Sequence, residues 1–306
     1  MKPDDSGLLD RLGGPIVVFG VIGLLVGAGA APYAWNAATA PDGTVAVVEV
    51  HGTITGDTAT AAVDDLREAR QNDSIEAVAL DVNSRGGSAA ASEQLYLAVK
   101  RTQQTMPVVA SVTGSAASGG YYAAVPADRI FVSPAGSVGS VGVRALLPSG
   151  GGPAGEITTG PDKRSTATEA EVRRRVETLR RAFVGSVLEE RGDALDLTAE
   201  ELSYAKLYSG SRGIEVGLAD EVGGVDAAIG AAADRAGLAN YRTVRMESPA
   251  PSVLGQLGLN ATASDGPTTR ATFGYAGVDT VQYLMLHGQL ETDRTVTAEV
   301  STNATN

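Results

Sequence analysis

Between Thr44 and Val132 the chain alternates short β-rich runs with stretches of helical period, and few folds accept that alternation. The runs are Thr44–Val50 (TVAVVEV), Ile75–Val82 (IEAVALDV), Pro107–Val112 (PVVASV) and Arg129–Val132 (RIFV). Gly56–Gln71, with Val63 and Leu66 at helical spacing, and Ala89–Gln104, with Leu95, Leu97 and Val99, separate the first three. Strands joined by helices of this length form βαβ units, so the pattern predicts an α/β fold, a mainly parallel sheet with helices on both faces. A longer helix is expected over Glu169–Arg191, with Val172, Val176, Leu179, Phe183, Val187 and Leu188 on one face. Its Arg173, Arg174 and Arg175 belong to a solvated or interface face. Shorter helical stretches follow at Ala199–Lys206 and Val225–Ala236. From Ser248 onward the composition turns to Pro, Thr, Gly and Asn, with one apolar stretch at Val278–Leu290.

The amino-terminal part is of another kind. No charged residue stands between Arg11 and Asp42, and Pro15–Trp35 is mostly apolar over 21 residues. About 20 apolar residues suffice for a bilayer-spanning helix. Tyr33 and Trp35 at its far end suit the lipid–water interface. A cleaved signal peptide is the competing reading, since Ala38-Thr39-Ala40 fits the small-x-small cleavage pattern. The apolar stretch exceeds the ~7 to 15 residues of a signal core, which favours an anchor. The expected order is a cytoplasmic tail over 1–14 and a membrane anchor over 15–35 that contacts lipid. Lys2 and Arg11 precede the anchor and no Lys or Arg follows before Arg67, which places the bulk of the chain on the extracytoplasmic side of the cell membrane. Asn260-Ala-Thr and Asn303-Ala-Thr match the glycosylation sequon, of interest only in an exported chain.

Composition then excludes chemistries. The 306 residues contain no cysteine, so there is no disulfide framework, no thiolate nucleophile and no cysteine zinc site. The two histidines, His51 and His287, are far apart in sequence, and no metal site or cofactor is expected. A net charge of −12 argues against a nucleic-acid partner, because phosphate contacts need clustered cations. The acidic balance and scarce lysine suit a chain kept soluble in high salt. Only four lysines occur, Lys2, Lys100, Lys163 and Lys206, so lysine chemistry has four candidates.

Two glycine-rich segments could carry a reaction. Asp81–Ser88 (DVNSRGGS) ends the second β-run, where paired glycines either make a tight turn or aim backbone N–H groups at an anion, as in an oxyanion hole built on Gly86 or Gly87. Thr113–Ala124 (TGSAASGGYYAA) places Ser118 at a strand-to-helix junction beside Gly119 and Gly120. Small neighbours admit a substrate backbone, and a helix start favours developing negative charge, which suits a nucleophilic serine. Ser115 is its rival, and ordinary helix-start residues are the bland alternative. Neither histidine has an accompanying motif, so each reads as a surface or packing residue and the base falls to a lysine whose pKa is lowered by burial. Lys2 lies across the membrane, while Lys100 and Lys206 fall on solvated surfaces. Lys163, on an irregular loop before the long helix, is left.

Five stretches in order now resemble one family, the signal peptide peptidase A (SppA) membrane-bound serine proteases of ClpP/crotonase fold. They are Asn83–Ser88, Ala117–Ala124, the Gly136–Gly142 turn (GSVGSVG), the loop Gly160-x-x-Lys163, and Gly217–Gly224 (GLADEVGG). The resemblance covers 44–246 as a protease domain and leaves 247–306 as a C-terminal extension, expected to be partly disordered. It implies Ser118 as nucleophile, Lys163 as general base, oxyanion or substrate contacts from Gly86, Gly87 and Gly119, and peptide or unfolded membrane-protein substrates. It further implies a homo-oligomer enclosing a chamber, with serine and lysine able to come from neighbouring subunits. Two residues depart from the family pattern. Arg85 stands where proline is usual, and Arg164 where an acidic residue is usual, next to a lysine whose pKa a cation would lower further. The alternatives are a crotonase-type acyl-CoA enzyme, disfavoured by the exported anchor and the Ser118/Lys163 pair, and a catalytically silent membrane scaffold of the same fold.

Overall fold

The computed structural model describes residues 40–147, 168–246 and 281–288, together with Leu24, Leu25 and Gly29. The anchor at 15–35 otherwise lies outside the described residues, as do Lys163, Arg164 and both sequons. Among the described residues no helix is long and apolar enough to cross a membrane.

The β-rich runs form strands β1 (Gly43–Ile54), β2 (Ile75–Ser88), β3 (Val108–Ala117) and β4 (Arg129–Val132). β1 pairs with β2, β2 with β3 and β3 with β4, all in parallel. Their apolar runs are nearly continuous because both faces of the sheet are covered. Along β1, Val45 and Val47 face one side while Ala46, Val48 and Val50 face the other, all buried. Ala77 and Ala79 alternate in the same way with Val78, Leu80 and Val82 on β2.

The larger core holds helices α1 (Gly56–Gln71), α2 (Ala89–Gln103), α3 (Gly119–Ala124) and α4 (Glu169–Arg191) against one face. On the opposite face a thinner layer is supplied by α7 (Val225–Arg235), whose Ala228, Ala232 and Ala233 lie on Val45, Val47, Ala77, Ala79, Val109 and Phe131. Between α4 and α7 come two short helices, α5 (Ala199–Ser203) and α6 (Gly210–Glu215).

Helix starts are locally encoded. Thr55 with Thr58, Thr168 with Glu171 and Thr198 with Glu201 each form a capping box, in which side chain and backbone satisfy one another's otherwise orphaned N–H groups. The remaining strands are β5 (Ser137–Gly139), β6 (Arg144–Leu146), β7 (Leu207–Ser209), β8 (Glu221–Val222), β9 (Tyr241–Arg245) and β10 (Gln282–Leu286). Among the described residues they complete a ten-stranded sheet. β10 comes from the C-terminal extension and is the one strand that inserts between β2 and β6, antiparallel to both.

Candidate active site

At its far end the parallel sheet divides, and the candidate site lies at the division. β2 continues through Arg85 to Ser88 with β1 on one side, Thr53 opposite Gly86 and Ile54 opposite Gly87. β3 keeps its place on the other side only as far as Ala116 opposite Ser84. It then follows β5, with Ala117 opposite Gly139, and turns at Ser118 into α3. The departure of β3 opens the β2 edge at Gly86–Ser88 beside the serine.

Ser118 is 2% exposed and has φ 53° and ψ −117°. A non-glycine residue in such a region costs about 1–3 kcal/mol and persists only where its surroundings fix it. Here the N–H donates to Gly139 O at 2.8 Å and the carbonyl accepts from Tyr122 N–H at 2.9 Å. The hydroxyl Oγ lies 3.4 Å from Gly142 O, to which it donates.

The glycines after Ser118 are demanded by packing. A Cβ on Gly119 would collide with Ser92 Oγ on α2, and one on Gly120 with Ser84 O on β2. Gly86 is held at φ +91°, and a Cβ there would lie 2.6 Å from Gly119 N, so the two glycine segments meet backbone to backbone. The Gly86 N–H donates to Ser84 Oγ at 3.1 Å, and Ser84 Oγ donates to Gly52 O at 2.6 Å. Gly87 packs directly under Ile54 O of β1. Ser115 sits earlier, on β3 opposite Ser137, and its hydroxyl accepts from Ser137 Oγ at 3.0 Å.

Of the possible bases, Lys100 donates to Glu189 Oε1 at 2.7 Å and Glu190 Oε1 at 2.6 Å. These bonds raise its pKa above the ordinary lysine value, so it stays charged and cannot accept a proton. Lys206 is exposed near the Tyr204 ring. His51 meets Asp81 at 3.2 Å and Glu49 at 3.5 Å.

His287 is a partly buried packing residue. Its Nδ1 is 2.9 Å from Ser140 Oγ, and its backbone N–H donates to Arg85 O at 2.9 Å. Burial, then Arg85 and Arg144, push its pKa below the usual histidine value. Residues 282–286 bring it there as β10, with Leu286, Met285 and Leu284 opposite Gly86, Gly87 and Ser88. Sequence reasoning found the apolar stretch but had no signal for its partner.

The Gly217–Gly224 segment braces the serine turn from behind. Leu218 O accepts from the fully buried Tyr121 hydroxyl at 2.9 Å, and burial raises that phenol's pKa. Asp220 accepts from Arg191 Nη2 at 2.6 Å and from Ile130 N–H at 2.7 Å. Tyr122 stacks on Tyr96 with ring centroids 4.6 Å apart and meets Phe183 at the same separation. The double tyrosine thus fixes α3 within the larger core.

Among the described residues no group of three or more His, Cys, Asp or Glu is placed to hold a metal. What remains is a buried, strained serine at a strand-to-helix turn, next to a glycine-lined strand edge.

Several known proteins are similar to this chain. Residues 100–149, which contain Ser118, match the model of peptidase family S49. A chain assigned as a protease in Methanocaldococcus jannaschii is 34% identical over 173 residues, covering 52% of this chain and 55% of its own length. Protease 4 of Salmonella typhi is 36% identical over 116 residues, 34% of this chain and 18% of its own. The chloroplastic serine protease SPPA of Arabidopsis thaliana is 27% identical over 207 residues, 62% of this chain and 30% of its own. The chain therefore spans about half, or less, of the length of these relatives. Among solved structures, a membrane-bound stomatin-specific protease, 1510-N, in complex with a substrate peptide aligns at a TM-score of 0.47 with 22% identity, over 70% of this chain and 95% of that one.

Proposed function

We propose that the chain, which is similar to SppA-type proteases and to peptidase family S49, is a membrane-anchored serine endopeptidase whose nucleophile is Ser118 and whose general base is Lys163. The observation that carries this reading is the Ser118 turn itself. A serine is held at φ 53° where β3 leaves the sheet, against glycines whose side-chain space is already taken. Ser140 shares a positive φ of 56°, but its hydroxyl is engaged by His287, whereas Ser118 stands beside the glycine-lined strand edge.

In this mechanism a peptide carbonyl lies over Ser118 with its chain along the β2 edge. Lys163 in its neutral form takes the hydroxyl proton as Oγ adds to the carbonyl carbon. Backbone N–H groups stabilise the resulting oxyanion. Gly87 and Gly119 are the donors in this reading, since the Gly86 N–H is engaged by Ser84 and Gly86 serves as the bare backbone that lets them approach. The tetrahedral intermediate collapses, the ammonium of Lys163 protonates the leaving amine, and water then releases the acyl group from Ser118 by the same route.

The anchor at 15–35, a catalytic domain on the extracytoplasmic side, a ClpP/crotonase-type architecture, a homo-oligomeric chamber and apolar peptide substrates complete the reading. Leftover signal peptides and unfolded membrane-protein segments are the substrates it favours. The test is hydrolysis of a quenched apolar peptide by full-length protein in detergent. Ser118→Ala and Lys163→Ala should each abolish turnover, and undiminished cleavage by either variant removes the dyad.

A further inference from the structure

The strand edge beside Ser118 is already occupied, and its occupant is the chain's own tail. We propose that residues 281–288 form a resident pseudosubstrate strand that an incoming peptide must displace. This rests on the reading of Ser118 as nucleophile, and three independent features carry it.

Position comes first. An extended peptide binds by adding a strand to an open sheet edge, and β10 uses the edge that β3 vacates, antiparallel to Gly86–Ser88. The Met285 carbonyl lies where a Cβ on Gly86 would be, and 2.9 Å from where a Cβ on Gly119 would be. It therefore sits between the two glycine segments that the mechanism needs for the substrate's own carbonyl.

Side-chain fit comes second. Leu284 is 0% and Met285 2% exposed, and Met285 belongs to the larger core cluster. The edge thus offers apolar sites at two successive positions of a bound strand. An extended peptide with large aliphatic residues at adjacent positions is the ligand that fits them.

A polar clasp at the end of the strand is the third feature. Arg144 Nη1 donates to Gly288 O at 2.8 Å, Ser140 Oγ meets His287 Nδ1 at 2.9 Å, and Arg85 O accepts the His287 N–H at 2.9 Å. The Arg85 guanidinium fills the space in which a side chain at Gly288 would stand, and Gly288 takes φ +84° there. Arg175 lies over the Tyr283 ring at 5.3 Å. Arg85, a departure from the family pattern, acquires a purpose here, because proline has no side chain able to reach Gly288. Nε and Nη2 of Arg144 are buried without a partner among the described residues, so this clasp holds the strand with polar groups incompletely satisfied. Such a contact is easier to exchange than a fully paired core strand.

Two readouts on the full-length chain separate this proposal from the protease reading. In the Ser118→Ala background, a fluorescent peptide with the sequence of residues 281–288 is titrated into chains with the native tail and with Leu284→Asp/Met285→Asp. Binding should tighten about 10-fold in the tail variant, the gain expected when a site that is open about a tenth of the time becomes fully open. With Ser118 intact, Arg144→Ala should lower KM for the quenched peptide with kcat little changed, and should speed amide exchange at 283–287 while β3 amides stay protected. Equal peptide affinity in the two chains, together with unchanged exchange in Arg144→Ala, overturns the proposal whether or not the protein cleaves anything. Tight binding to a tail variant with no cleavage in the Ser118-intact chain would leave the tail in its groove and remove the protease reading instead.

Discussion

One edge of β2 carries two neighbours in succession, and they are held by different physics. Over Val78–Val82 the neighbour is β3, whose Val108, Val109, Ala110 and Val112 are all fully buried between two helical layers. Over Gly86–Ser88 it is β10, with two buried aliphatic side chains and a clasp of Arg85, Arg144, Ser140 and His287. Hydrophobic burial is roughly proportional to area and is lost only when the element leaves the core, so β3 opens only with the whole fold. β10 adds only Leu284 and Met285 to the buried set, and its polar contacts exchange with water at modest net cost, so β10 is proposed to leave alone. The difference separates scaffold from site: the half of the edge that must be open to a ligand is held by two buried aliphatic side chains and a polar clasp, not by a whole strand packed between two helical layers.

That contrast can be broken at either half. Leu80→Ala, at a fully buried position on β2, should cost about 3 kcal/mol, read as a shift of the urea midpoint at constant slope. An effect below about 1 kcal/mol would show that this half is not the core. Asp220→Ala leaves Arg191, 6% exposed at its side chain, without its carboxylate and frees Ile130 N–H. The loss should be about 2–3 kcal/mol, and peptidase activity should fall with it because Tyr121 and α3 rest on this segment. In contrast, Leu284→Ala should move the main unfolding transition by less than about 1 kcal/mol despite complete burial, since the strand undocks before the fold opens. A loss as large as that for Leu80 would make β10 a core strand and remove the contrast.

The smallest effect is a pH dependence at the clasp. The docked imidazole of His287 has a lowered pKa from burial and from Arg85 and Arg144. The docked strand therefore binds fewer protons than the released one, and protonation favours release. Docking should be complete above the ordinary histidine value of about 6.5 and weaken as pH falls below it, levelling off beneath the lowered value. Amide exchange at 284–286, corrected for intrinsic rates, should be faster at about pH 5.5 than at about pH 7.5, and His287→Gln should remove the difference. An equal corrected rate at both values would show that His287 does not bear on docking.

Much of the scaffold was legible because periodicity and capping are local. The Gly56–Gln71 and Glu169–Arg191 helices span the residues that the apolar spacing marks, and Thr55 and Thr168 cap their starts. The strand ends were less so. The glycines of Asp81–Ser88 read as a tight turn or an anion-binding segment, yet β1 pairs with this segment as far as Gly87 and β10 pairs with Ser88, which keeps it in the strand. Ser115–Ala117 likewise remains extended because β5 follows β4 as a partner of β3, with β2 still opposite at Ala116. In the site, Ser118 and its glycines stood out through residue type, and their meeting with Gly86 through Gly119 N adds the reason for the pairing. Gln282–Leu286 has no alternation of its own, so its strand character and the new position of His287 arise only from contact with β2 and β6. The Gly217–Gly224 segment was recognised as a motif, but its work, bracing Tyr121 and Arg191, is tertiary.

The most direct measurement is active-site labelling of the full-length protein in detergent with a serine-reactive phosphonate, followed by peptide mapping. A single adduct on Ser118, lost in Lys163→Ala and formed faster when Leu284→Asp/Met285→Asp clears the groove, is the expected result. An adduct on Ser115 or Ser140, or labelling undiminished in Ser118→Ala, would contradict the assignment of the nucleophile.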